Sequence, residues 1–140
     1  MKLRRMKSIL VICLLISMLP MKVTYASEIS GVFRPMTEYT MSTYQSLNIS
    51  SSGLASGSVK VNGYPDIVKS ISIYMYLEQY VNNSWQTVSS WSDSASSYTL
   101  TLSGSAQVSS GYKYRIKASY YVSNGTLTEH LTKYSEEKTY

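Results

Sequence analysis

The residues of this chain best suited to chemistry are its aromatic ones, and they cluster. Tyr74, Tyr76 and Tyr80 sit at even spacing, and Trp85 and Trp91 follow shortly after. Rings gathered on one flat surface can stack on the apolar faces of sugars or serve as a protein-binding patch. The same rings can instead stabilise a sheet by cross-strand pairing, with tryptophan buried between layers. Other chemistry is poorly supplied. His130 is the single histidine, and the chain offers no second one to complete a metal site. The carboxylates of Glu38, Asp66, Glu78, Asp93 and Glu129 are scattered, and no motif brings two together as a hydrolytic pair requires. Serines abound, yet none sits in a Gly-x-Ser-x-Gly elbow; the Ser-Gly-Ser triplets at 56–58 and 103–105 read as turn or strand. The expectation is a protein that is not an enzyme. It has no catalytic residue, no metal and no cofactor, and its candidate binding residues are Tyr74, Tyr76, Tyr80, Trp85 and Trp91.

The first 26 residues say where those rings would work. Lys2, Arg4, Arg5 and Lys7 precede an apolar run from Ile9 to Leu19, Pro20 ends the run, and Thr24 and Ala26 place small residues before Ser27. This is the pattern of a secretory signal peptide, with an apolar stretch too short to remain as a membrane anchor. Cys13, the single cysteine, lies inside that run behind the bulky Ile12, which disfavours lipid attachment. The chain after Ala26 therefore has no disulfide and no thiol nucleophile, and a core must hold it together. The formal charge of +5 belongs to the leader. Eight bases and eight acids follow Ala26, so no excess charge points to nucleic acid or to an anionic membrane. The expected location is extracellular. The partner is left open between a cell-wall glycan and an extracellular protein.

The elements that must carry the rings are strands. Ser, Thr and Tyr dominate beyond residue 26, a palette that disfavours helix and suits a half-buried pleated surface. Residues 27–43, with Pro35, show no sustained period and read as an irregular segment or linker. From Tyr44 onward apolar residues alternate, with turn signals at the spacing of a sandwich or barrel. A first strand holds Leu47 and Ile49, and a second, Ala55 to Asn62, holds Val59 and Val61. In the third, Ile71, Ile73, Met75 and Leu77 alternate with Ser72, Tyr74, Tyr76 and Glu78, so the two sets lie on opposite faces. Asn82-Asn83-Ser84 turns the chain into a fourth strand, Trp85 to Trp91, whose strict alternation puts both tryptophans on one face. Ser92 to Ser97 reads as a polar loop. Tyr98, Leu100 and Leu102 mark a fifth strand and Tyr112 to Val122 a sixth. Asn124-Gly125 suits a type I′ turn into a seventh, from Thr126 to Tyr134. About seven antiparallel strands over residues 44–140 predict an all-β, immunoglobulin/fibronectin III-like sandwich.

Two stretches carry a more specific likeness. Val108-Ser-Ser-Gly111-Tyr-Lys-Tyr114-Arg-Ile116, after Tyr98-Thr-Leu100-Thr-Leu102, resembles the passage into the sixth strand of a fibronectin type III domain. The likeness implies a corner role for Tyr114, its hydroxyl tying the preceding loop to the strand. The chain as a whole resembles small secreted proteins of Gram-positive bacteria that carry a domain of unknown function. The residues that carry this likeness are the leader, the Ser-Ser-Gly turn, Leu77-Glu-Gln-Tyr with Trp85, and Gly111-Tyr-Lys-Tyr-Arg115. It implies export and a sandwich but no activity. The function expected is a secreted, non-enzymatic sandwich that binds or builds outside the cell. Alternatives are a carbohydrate- or cell-wall-binding module using the aromatic strip, and a small secreted toxin or bacteriocin.

Overall fold

A computed structural model describes residues 37–140. The signal peptide expected over 1–26 and the first part of the segment expected to be irregular lie outside the described residues. β1 (Thr40–Ile49), β2 (Leu54–Gly63) and β5 (Thr99–Gln107) form one antiparallel sheet in the order β1-β2-β5. β3 (Ser70–Val81), β4 (Ser84–Ala95), β6 (Lys113–Ser123) and β7 (Thr128–Tyr134) form the larger sheet in the order β4-β3-β6-β7. A short β8 (Lys138–Thr139) pairs with β6 where β7 has ended. Two sheets made this way give an all-β, immunoglobulin/fibronectin III-like sandwich.

Period-two alternation explains the core. Ile71, Ile73, Met75 and Leu77 of β3 and Tyr114, Ile116, Ala118, Tyr120 and Val122 of β6 are buried side by side. They meet Leu47 of β1 and Ala55, Val59 and Val61 of β2 from the other sheet. Each fully buried aliphatic side chain of this size contributes roughly 1.5–3 kcal/mol. The two Ser-Gly-Ser triplets are strand residues, and Gly57 faces Gly104 across the β2–β5 ladder. A Cβ on Gly57 would stand 2.6 Å from Ile116 Cδ1, and one on Gly104 would enter the ring of Trp91. The paired glycines are the recess into which the larger sheet packs.

Two buried tyrosines pin loop and sheet. The Tyr114 hydroxyl donates to the Ser109 carbonyl at 2.7 Å and accepts from the Gln79 amide at 3.1 Å, the corner arrangement expected of it. Tyr120 crosses the core, accepting from Gln45 Nε2 at 2.8 Å and donating to the Tyr44 carbonyl at 3.3 Å.

Several boundaries differ from expectation, each for a local reason. β1 reaches back to Thr40, inside the stretch read as irregular, because Glu129 of β7 takes up the chain there. Its carboxylate accepts from the Glu38 amide at 2.6 Å, the Tyr39 amide at 3.3 Å and the Thr40 hydroxyl at 2.6 Å. The polar loop expected over Ser92 to Ser97 is shorter, and only Ser96 and Ser97 of that stretch lie outside a strand. β4 continues to Ala95, with Asp93 opposite Ile73 and Ala95 opposite Ile71. Tyr112 precedes β6 and is exposed, so the buried face of that strand starts at Tyr114. The type I′ conformation falls on Asn82 and Asn83, both with positive φ, and not on Asn124-Gly125, where Gly125 alone has it. Asn124 Oδ1 instead accepts from the amides of Thr126 and Leu127, both at 2.8 Å. The link is thereby held as a longer Asx-type loop, and β7 starts at Thr128.

Candidate functional site

The outer face of the larger sheet is built from the residues that alternate with the core. β3 turns Tyr74, Tyr76, Glu78 and Tyr80 outward, β6 turns Lys113, Arg115, Lys117, Ser119 and Tyr121 outward, and β7 adds His130 and Tyr134. Most of these rings are paired. Tyr80 meets Trp85 with centroids 5.1 Å apart. The Arg115 guanidinium lies between two rings, 4.1 Å from the Trp85 centroid and 4.2 Å from that of Tyr134. Glu78, only 6% exposed, fixes that guanidinium through a 2.8 Å contact from Arg115 Nε. Lys117 lies 5.7 Å from the Tyr76 ring. At the other end of the face Tyr121 stacks on His130 at 4.5 Å and meets Tyr74 edge-on at 5.7 Å. Ring pairs and cation–ring contacts of this kind contribute roughly 0.5–1.5 kcal/mol each. The face is therefore a stiff tier of rings rather than a loose collection. It remains open to solvent: Tyr74, Tyr80, Tyr121 and Tyr134 are each between 38% and 48% exposed.

The two tryptophans do not share a face. The β3–β4 register slips between Leu77 and Glu78: Leu77 lies opposite Ser89 while Glu78 lies opposite Thr87, which leaves Val88 as the extra residue of a bulge. One extra residue reverses the alternation. Trp85 and Thr87 thus point outward with Tyr80 and Glu78, whereas Trp91 lies opposite Met75 on the core side. Trp91 packs against the core over Gly104. Of the five rings expected to form a strip, Tyr74, Tyr76, Tyr80 and Trp85 lie together and Trp91 is separated from them. The bulge left no clear mark in the sequence, since Val88 among serine and threonine reads as ordinary strand. The paired Ser-Gly-Ser triplets were the available signal that a bulky ring must sit above them.

The residues that sequence reasoning missed are Arg115, Lys113, Glu137 and Tyr134. Tyr80, Trp85, Lys113 and Glu137 line a depression of about 260 Å³ on this face, with Lys113 Nζ 3.6 Å from Glu137 Oε2. The remaining carboxylates lie elsewhere. Asp66 is in the exposed turn after β2, Asp93 is near the end of β4, and Glu129 braces the start of β1. Among the described residues no three His, Cys, Asp or Glu side chains gather as a metal site would need. Burial raises the hydroxyls of Tyr114 and Tyr120 above the ordinary 10.0, and both lie in the core rather than on this face.

Fold and face together define a class: an immunoglobulin/fibronectin III-like sandwich with an aromatic and cationic outer face on its larger sheet. No protein-family model matches the chain, and no curated protein matches it.

Proposed function

We propose that this protein is exported and works outside the cell as a non-enzymatic binding module, through the outer face of its larger sheet. The observation that carries this reading is the concentration of half-exposed rings on one sheet face, while the other side of the same strands is aliphatic and buried. A sheet needs only one apolar face to pack. Stiff, solvent-facing rings on the second face are surface held ready for a partner. The carboxylates support a binding role over a catalytic one, since Glu78, Glu129 and Glu137 are each engaged in holding a neighbour. Export is supported by the charged start, the apolar run and the small residues before Ser27. The group of small secreted Gram-positive proteins that the chain resembles is the context in which we place it.

The test is capture. The exported protein is incubated with purified cell wall and, separately, with proteins of the culture supernatant. Retention by either that falls in a Tyr74→Ala/Tyr121→Ala or a Tyr80→Ala/Trp85→Ala variant supports the reading. Retention by neither, or retention unchanged in both variants, contradicts it. N-terminal sequencing of the same material should begin at Ser27, and a retained Met1 would remove the export step.

A further inference from the structure

We infer that the depression bounded by Tyr80, Trp85, Lys113 and Glu137 is a subsite for one uncharged pyranose unit of a polysaccharide; this rests on the binding role proposed above and names its ligand class. Four features carry it. Tyr80 and Trp85 offer adjacent rings, 5.1 Å apart between centroids and inclined at 54°. A sugar ring packs its C–H face on such a ring while its hydroxyls point sideways. Lys113 and Glu137 supply those hydroxyls with an ammonium donor and a carboxylate acceptor on the same rim, 3.6 Å from each other. A vicinal diol presents one oxygen to each.

Charge narrows the class further. The ammonium and carboxylate offset one another, and the nearby Arg115 is already matched by Glu78. The site thus has no net charge to select an anionic or a cationic ligand. Shape argues the same way. About 260 Å³ is below the roughly 300–1,000 Å³ of sites that enclose drug-sized ligands, and it suits a single ring of a longer chain. Arg115 touches Trp85 without lining the depression and acts as a positioning residue that holds the indole in place.

The experiment titrates the exported protein with neutral oligosaccharides, the tetramers of β-1,4-linked glucose and of β-1,4-linked N-acetylglucosamine, following indole emission and heat. The expected result is saturable binding by at least one of them, changing little between low and high salt because no ion pair carries it. Glu137→Gln and Lys113→Met should each weaken it about tenfold with the melting temperature unchanged, since both side chains are at least half exposed. Trp91→Phe should retain the ligand-induced emission change, and Trp85→Phe should lose it. Asp66→Asn, in the exposed turn after β2 and away from this face, should bind as wild type. Absence of binding to both sugars, or binding indifferent to Glu137 and Lys113, overturns the sugar subsite. If wall or protein capture by the aromatic face persists in that case, the broader binding role survives without it. If capture also fails, both fall.

Discussion

At the scale of single residues, the buried hydroxyls of Tyr114 and Tyr120 make the sharpest predictions. Each donates to a main-chain carbonyl and accepts from a glutamine, so Tyr→Phe keeps the ring and removes a satisfied pair. Urea melts should show a loss of about 1 kcal/mol or somewhat more for Tyr114→Phe and for Tyr120→Phe. Tyr121→Phe, which keeps the ring stacked on His130, should be nearly silent. Burial raises both hydroxyls above 10.0, so the folded protein holds these protons more tightly than the unfolded chain does. Their contribution is complete below pH 10 and is lost as pH rises through the raised values. Melting temperature should therefore fall more steeply above pH 10 in the wild type than in a Tyr114→Phe/Tyr120→Phe double variant. The faces of β3 and β6 were legible residue by residue because strict alternation leaves little freedom. Ile73→Asp and Ile116→Asp should abolish folding. Ser72→Asp and Lys117→Ser should shift stability by less than about 1 kcal/mol.

At the scale of elements, one extra residue in β4 decides which tryptophan faces outward and which packs. Period-two reasoning carried both onto one face because nothing in Trp85–Trp91 departs from strand composition. The bulge arises from how β4 must meet β3 on one side and Gly104 on the other, which a single strand does not reveal. The expected division of labour is measurable. Trp91→Ala should cost about 2–4 kcal/mol in a denaturant melt, approaching the range for buried rings. Trp85→Ala, losing one ring pair and one cation–ring contact, should cost about 1–2 kcal/mol. Similar costs for the two would mean that Trp85 is core as well. β4 is also an edge strand, and the bulge together with the charge of Asp93 opposite Ile73 disfavours pairing with another chain. Asp93→Val should therefore raise the dimer or aggregate fraction in light scattering without lowering stability. The ends of elements were the least legible part. The start of β1 depends on Glu129, ninety residues away, and the β6–β7 loop on the side chain of Asn124.

At the scale of the whole molecule, a sandwich without disulfides is held by one aliphatic core, by tyrosines that tie loop and sheet, and by Glu129 bracing the start of β1 against β7. Glu129→Ala should loosen that end first. Hydrogen exchange at the amides of Glu38 and Tyr39 should rise well before the amides of β3 and β6 respond. The all-β class and the core faces of β3 and β6 could be read from alternation and turn residues, whereas Tyr39 and Val68 are buried at positions that show no alternation. The aromatic outer face could be read only in part, since Arg115 and Glu137 join it through strand pairing rather than through spacing. The proposal that the protein works through the outer face of the larger sheet is tested most directly by pelleting the protein with purified cell wall and measuring the bound fraction for wild type and Trp85→Ala, each verified as folded. Retention of the wild type with loss of most of it in Trp85→Ala is the predicted result. A Trp85→Ala variant that pellets equally well would contradict it, as would a wild type retained neither by the wall nor by the supernatant proteins.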